Sequence, residues 1–568
     1  MFHRIFILIQ IICVAGFFFA PASSVFSYSI EDLHTDIALE KDGAYIRIYH
    51  PGDLQKATLF WNHQKTLPDR RISQYSEYPY RVESRIKDAR RYFFLPYGKD
   101  NEGIPFNQTI RFRIESITSN DQAPRVLRTR EYRFRVLERE SGDYYFGLMF
   151  SSGPVVEKIL GEKATISWET NQPCSAEIQM RRKNSSKTNI IKAGEDQRVF
   201  SITLDQLGRG LTYHYRIKCR AAESGDQLAS HEYRFRSEPE SGDSFKFAVM
   251  GDSRGNSEAL WRDYSINGVN TDLLYRFMKS AYSHNVDFMI FTGDMIKGYT
   301  TDAGSIYLRY RTWVDAVAPF RSSIPVYPVM GDHDAFSPPP AEKQDSDTPS
   351  SHELWRRLFH LPENGPSADD NDPTYKENVY SFNFAGCHFC ALNSAYYKDG
   401  DNEQSPRFST TIDAKQRDWL QLDMEENKSA RFHFVTFHEP LYPVSAGFGR
   451  SVDRHPKVRN TLALILENYR VDALFTGREN NYSVVQVDSG INQRVKNPFL
   501  QINSGGAGPS LNDVNRKIPW ISGLKSFSDN HHWILVEVRK KQCEFTVFDV
   551  NGIVIDRFIM DRKQKLKE

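Results

Sequence analysis

FAVMGDSR (Phe247–Arg254), FMIFTGDMI (Phe288–Ile296) and VYPVMGDHD (Val326–Asp334) are three versions of one unit, an apolar run that ends in Gly-Asp. Each run is four to six residues long and rich in β-branched and aromatic side chains. That is too short for a helix and reads as a strand buried on both faces. Between the runs, Leu273, Leu274, Phe277, Met278 and Ala281 share one helix face, and Ile306, Tyr307, Tyr310, Trp313, Val314 and Val317 share another. The order predicts β-α-β-α-β with parallel strands, and places Asp252, Asp294 and Asp332 just past the carboxyl ends, where α/β sheets build their sites. Gly-Asp after one strand is ordinary turn chemistry. Three carboxylates at one edge repel one another unless a positive charge sits among them, and a divalent cation is the usual one.

The chain is 568 residues long, enough for three or four domains at about 150 residues each. Its 73 basic residues nearly balance 72 acidic ones, which argues against a nucleic-acid or membrane-surface partner. Residues 1–22 read as a secretory signal: His3 and Arg4, the apolar run Ile5–Ala20, then Ala20-Pro21-Ala22 as a cleavage site. Export to the periplasm or outside the cell is therefore expected, with no membrane span after cleavage.

Residues 23–238 contain an internal repeat. Lys56–Trp61 (KATLFW) is echoed by Lys163–Trp168 (KATISW), and EYRFR occurs at both Glu131–Arg135 and Glu232–Arg236. Both copies alternate apolar and polar residues, which predicts two tandem β-sandwiches, 23–140 and 141–240, each with an early Trp in its core. The second resembles a fibronectin type III-like module; the first is more divergent. The arginines of EYRFR alternate outward and read as a solvated face. Cys174 and Cys219 stand at the start and end of two strands that could be antiparallel neighbours, and a disulfide is expected if they are. Cys387 and Cys390 would point to opposite faces of a strand, and two cysteines without a second pair are a poor zinc signal.

After Asp334, Ala335–Lys376 reads as a long loop around a helix at His352–Phe359. Asp413 and Gln416 start a helix through Asn427 with Trp419, Leu420 and Leu422 facing in. FHFVTFHEP ends a strand at His438, Val458–Tyr469 is another helix, and VDALFT ends at Gly477.

Gly251-Asp252, Gly293-Asp294, Gly331-Asp332-His333-Asp334, His438 with Pro440, and Gly477 onward resemble, in order and spacing, the calcineurin-like metallophosphoesterases, and more narrowly the purple-acid-phosphatase-like enzymes with a fibronectin-type domain upstream. The resemblance implies that 244–562 is an α/β metallophosphoesterase domain, a layered β-sandwich flanked by helices, following the two all-β sandwiches. It implies hydrolysis of a phosphate ester by a metal-bound hydroxide. Its metal ligands map to Asp252, Asp294, Asp332 and His438. The fifth motif reads Gly477-Arg478-Glu479-Asn480, so both usual ligand histidines are replaced. Arginine cannot ligate a metal, and Asn480 offers only a neutral oxygen. One metal position would keep Asp252, Asp294 and Asn480; the other would keep Asp294, Asp332 and His438. The resemblance thus points to one iron, manganese or zinc ion rather than two, or to none in a catalytically inactive relative that binds or scaffolds. His333 is the expected proton donor and phosphate contact, Arg254 a phosphate ligand, and Arg478 a charge standing where a metal would be.

Overall fold

The computed structural model describes residues 34–562 outside segments 42, 50–53, 64–79, 88–89, 99–103, 105, 119–125, 129–131, 256–264, 300–302, 336–350, 368–374 and 399–406. Residues 1–22, read from the sequence as a signal, and much of the long loop after Asp334 lie outside the described residues. Two all-β units precede an α/β unit, as expected. In the first, a four-stranded and a six-stranded sheet enclose Ile46, Leu59, Phe93, Phe112, Ile114 and Phe134. In the second, strand Lys163–Arg182 runs 20 residues. Its first half pairs with Phe150–Leu160 and its second with Thr212–Ala221, and its pairing with Asn189–Leu204 shifts register between Glu169 and Cys174. Trp168 is buried in that core and stacks on Phe200 at 4.9 Å; the side chain of Trp61 lies outside the described residues.

The three Gly-Asp runs form adjacent parallel strands, Phe245–Met250, Phe288–Phe291 and Val326–Pro328. The first of these also pairs antiparallel with His532–Val538, giving a six-stranded sheet closed by Gln542–Asp549 and Val554–Asp561. A seven-stranded sheet that includes Cys387–Ala391, His433–Thr436 and Ala473–Thr476 packs against it. Phe247 lies at the seam, with ring centroids 5.5 Å from Phe389, 5.5 Å from Phe434 and 6.0 Å from Phe475. Helices α1 (Thr271–Ser283) and α2 (Ala303–Arg321) bury the faces read from the sequence, including Leu274, Phe277, Tyr310 and Trp313. Helix α3 is Ser351–Leu358, α4 is Ala414–Glu426 and α5 is Pro456–Asn468. Asp413 caps α4 by accepting from the Gln416 N–H at 2.9 Å. Leu420 is buried but Leu422 is 67% exposed, because it falls off the face that meets the sheet.

The EYRFR arginines form a solvated face only in part: Arg234 is exposed and the Arg236 side chain is 39% exposed, whereas the first copy is covered. Arg135 is buried and donates to Asp226 Oδ2 at 2.8 Å, across to the second sandwich. In the second copy Arg236 donates to Asp287 Oδ1 at 3.0 Å, across to the α/β unit. The alternation holds, and the outward side of the first strand meets the next unit while that of the second stays partly in water. Cys174 and Cys219 do lie on neighbouring antiparallel strands, offset diagonally, since Cys174 faces Ala221 and Cys219 faces Ala176. The structure holds both as free thiols, hydrogen-bonded to each other, and the expected disulfide is absent.

Arg321 on α2 is 1% exposed and pairs with Glu157 of the second sandwich at 2.6 Å. Removing one partner of a buried ion pair strands the other charge. Glu157→Ala is therefore expected to lower stability by about 3–5 kcal/mol, read as a shift of the urea midpoint, whereas replacing both with apolar residues should cost far less.

Candidate metal and phosphate site

The site forms where the parallel strands end against the second sheet. Asp252 and Asp294 adopt left-handed backbone at φ 56° and 53°, as do Arg478 at 74° and Asn480 at 49°. Non-glycine residues rarely sit there, and such clusters occur where function over-determines the backbone. The Asp252 N–H donates to Gly293 O at 2.8 Å and the Arg254 N–H to Asp294 O at 3.1 Å, so the first two turns hold each other. Gly477 must be glycine because a Cβ there would lie 2.5 Å from Asp252 Oδ2 and 2.9 Å from His438 Nδ1.

Asp252, Asp294, Asp332, His333, His438, Arg254, Arg478 and Asn480 all meet at this edge, as the geometry of each shows. Both oxygens of Asp252 accept from the Arg478 backbone N–H at 3.1 Å. Arg254 Nε donates to Asp294 Oδ2 at 3.0 Å and its Nη2 to Asn480 Oδ1 at 3.4 Å, which puts one guanidinium between two members of the first expected metal set. The Arg478 guanidinium donates to Asp332 Oδ2 and lies 3.5 Å from Glu439 Oε2. His438 Nδ1 is 2.8 Å from Thr292 O, so Nδ1 carries the proton and Nε2 turns inward. That nitrogen is 3.3 Å from Asp332 Oδ1 and 3.4 Å from Asp294 Oδ1. His333 Nδ1 accepts from the Gly298 N–H at 3.0 Å, which leaves the proton of a neutral ring on Nε2.

Two residues were missed. Glu439 is fully buried and joins Asp332 and His438 in a group whose ligand atoms lie within 4.8 Å of one another. A second group is Asp252, Asp294 and His438. The signal for Glu439 was available, since it follows His438 at the end of a strand aimed at the same edge. Tyr299 donates to Asp332 Oδ2 and its ring centre is 4.1 Å from that of His333; a loop tyrosine carries no periodicity to find it by. Glu479, by contrast, turns away and accepts from the N–H groups of Ser445 and Gly447, each at 3.0 Å.

A resident cation can be tested against these atoms. Asp332 Oδ1, His438 Nε2 and both Glu439 carboxylate oxygens are buried and make no hydrogen bond. They belong to the very three residues that cluster, and two carboxylates with one imidazole suit a first-row divalent metal. The residues fit.

Burial pushes Asp252 up to about 8, Asp334 up to about 7 and Glu439 up to about 7. Asp332 is held well below the usual range against its burial, chiefly by Arg478. His438 is raised, against its burial, by Asp294 and Asp332.

A calcineurin-like phosphoesterase family model matches residues 245–477. This chain carries a calcineurin-like phosphoesterase domain. Purple acid phosphatase 13 of Arabidopsis thaliana is 25% identical over 194 residues, 33% of this chain and 30% of that one. Probable inactive purple acid phosphatase 27 of the same plant is 22% identical over 398 residues, 65% of this chain and 58% of that one. The chain thus spans less than two thirds of either relative. Purple acid phosphatase PPD1 from yellow lupin (Lupinus luteus) seeds shares the fold, with a TM-score of 0.58 and 12% identity over 92% of this chain and 93% of that one. PhoD does so with a TM-score of 0.55 and 12% identity over 73% of this chain and 92% of that one.

The raised carboxyls of the phosphoesterase domain give a pH signature. The folded state holds protons on Asp252 that the unfolded chain, with Asp near 3.9, has released, so stability falls as pH rises toward about 8. His438, also raised, acts in the same direction above about 6.5. In chelator-treated protein, Tm should decline between about pH 5 and 8, and Asp252→Asn should flatten that decline.

Proposed function

We propose that the chain is an exported phosphoesterase of the purple-acid-phosphatase-like type that works with one iron, manganese or zinc ion and with Arg478 in place of a second. The support is the coincidence of the hydrogen-bond-free buried atoms of Asp332, His438 and Glu439 with one ligand-sized cluster. Those three residues would hold the ion, with Asp294 Oδ1 next in reach. When bound, the cation supplies Lewis-acid polarisation of a phosphoryl oxygen and activation of water near neutral pH. Arg478, held above its usual range by Glu439 and Asp332 against its burial, keeps a fixed positive charge beside it. Arg254, anchored on Asp294, offers its remaining donors to a phosphate oxygen. His333, its pKa lowered by burial, keeps a neutral ring whose Nε2–H can donate a hydrogen bond to a phosphate or leaving-group oxygen without giving up its proton. The signal-like pattern of residues 1–22 supports export, and 23–140, 141–240 and 244–562 would be the corresponding domains.

A second reading is a catalytically inactive binding or structural protein. It is favoured by the two guanidiniums, which lie at Asp332 and Glu439 and between Asp294 and Asn480. It is favoured too by the relative whose name marks it as probably inactive.

Manganese prefers oxygen and nitrogen donors to thiolate. Full-length protein stripped by chelator and reloaded with manganese should hold one ion per chain and hydrolyse a generic phosphate monoester, and His438→Ala should lose both. Two tight manganese ions would refute the single site, and binding without hydrolysis would establish the second reading. The pair Arg478→His with Asn480→His should raise stoichiometry and activity together.

A further inference from the structure

Strand Cys387–Ala391 uses its two faces differently. Phe389 points into the seam between the sheets, 5.5 Å from Phe247. His388 and Cys390, two residues apart, share the opposite face, which α4 covers. Asp423 of α4 meets them there. His388 Nε2 is 2.8 Å from Asp423 Oδ2, Cys390 Sγ is 3.1 Å from His388 Nε2, and Sγ is 3.0 Å from Asp423 Oδ2. The His388 and Cys390 side chains are buried and that of Asp423 is 10% exposed. None of the three takes part in the phosphoesterase site.

We propose that Cys390, His388 and Asp423 form a zinc site that fastens α4 to the seven-stranded sheet, separate from the phosphoesterase centre. A thiolate, an imidazole and a carboxylate are the three zinc donor types. Bonds of about 2.3 Å to sulfur and 2.0–2.1 Å to nitrogen and oxygen set ligand atoms about 3.3–3.6 Å apart in a tetrahedron. The observed triangle needs to open by about half an ångström.

The surroundings orient each donor inward. Asn383 Oδ1 lies 2.8 Å from His388 Nδ1, and its amide is fixed because Nδ2 donates to Asn427 Oδ1 at 2.9 Å. Asn427 in turn donates its own amide to Asp423 O at 2.8 Å. Asn383 therefore presents an acceptor and Nδ1 carries a proton, while the 2.8 Å contact between Nε2 and Asp423 Oδ2 holds a second proton that a cation would displace, turning Nε2 and Oδ2 into ligands. The Ser381 hydroxyl donates to Asp423 Oδ1 at 2.7 Å and receives Asn364 Nδ2 at 3.0 Å, which reserves Oδ2 for the centre. An imidazole and a carboxylate each oriented by an outer partner are the usual surround of a protein-bound metal. Binding replaces two protons, that of the Cys390 thiol and that held between His388 Nε2 and Asp423 Oδ2, and both leave to solvent as sulfur, nitrogen and oxygen bond the cation. The Asp423 side chain, 10% exposed, is the edge through which these protons leave and a fourth ligand, water, enters.

Cobalt(II) substitution tests this in the full-length chain. Chelator-treated protein titrated with cobalt should develop a thiolate-to-cobalt charge-transfer band at one equivalent, and zinc should abolish it. The band should persist in His438→Ala and disappear in Cys390→Val, while Asn383→Ala should weaken zinc about 10–100-fold. Zinc should raise the Tm of His438→Ala but leave that of Cys390→Val with His438→Ala unchanged. No charge-transfer band in the unaltered protein, or a band that survives Cys390→Val, would overturn the proposal. The first readout needs no substitution, so a folding defect in a variant leaves the test intact.

Discussion

Negative charge crowded into a buried sheet edge is the constraint around which the phosphoesterase domain is arranged. Three Gly-Asp turns bring Asp252, Asp294 and Asp332 to one place, and Glu439 adds a fourth carboxylate. An unpaired buried charge costs several kcal/mol, so each must find a counter-charge, a proton or a set of donors. Asp294 and Asp332 find Arg254 and Arg478. Asp252 has the Arg478 amide and a strongly raised pKa. Glu439 lies 3.5 Å from Arg478, yet its oxygens, one oxygen of Asp332 and the inner nitrogen of His438 make no hydrogen bond, and they share a space that suits a cation. The left-handed backbone at Asp252, Asp294, Arg478 and Asn480, at about 1–3 kcal/mol each, is part of what that convergence costs.

Arg478 links this balance to activity. A guanidinium supplies the charge of a second metal and a fork of donors, but it cannot polarise an oxygen as a Lewis acid does. Its placement against Asp332 and Glu439 allows one cation beside it, and makes the same residues a stable ion-paired cluster when no cation binds.

Much of the α/β unit was legible because periodicity and turn chemistry agree there: apolar runs of strand length, helix faces at Leu274 and Tyr310, and glycines where Asp252 and His438 leave no room for a Cβ. What escaped depends on contacts between elements far apart in sequence. The outward face of EYRFR alternates as expected, yet docking of the next unit covers Arg135 against Asp226 and ties the half-exposed Arg236 to Asp287, while Arg234 stays in solvent. Leu422 reads as apolar and faces water. Cys390 looked isolated because its partners are a histidine two residues away and an aspartate on α4, which no cysteine spacing reveals.

The central claim is that one cation and one guanidinium share the work of two cations. Anomalous diffraction at the manganese edge from crystals of the full-length chain tests it most directly. We expect one peak in the phosphoesterase centre, bounded by Asp332, His438 and Glu439, with the Arg478 guanidinium retained beside Asp332. Two peaks sharing Asp294, or no peak while Arg478 remains against Asp332 and Glu439, would contradict it.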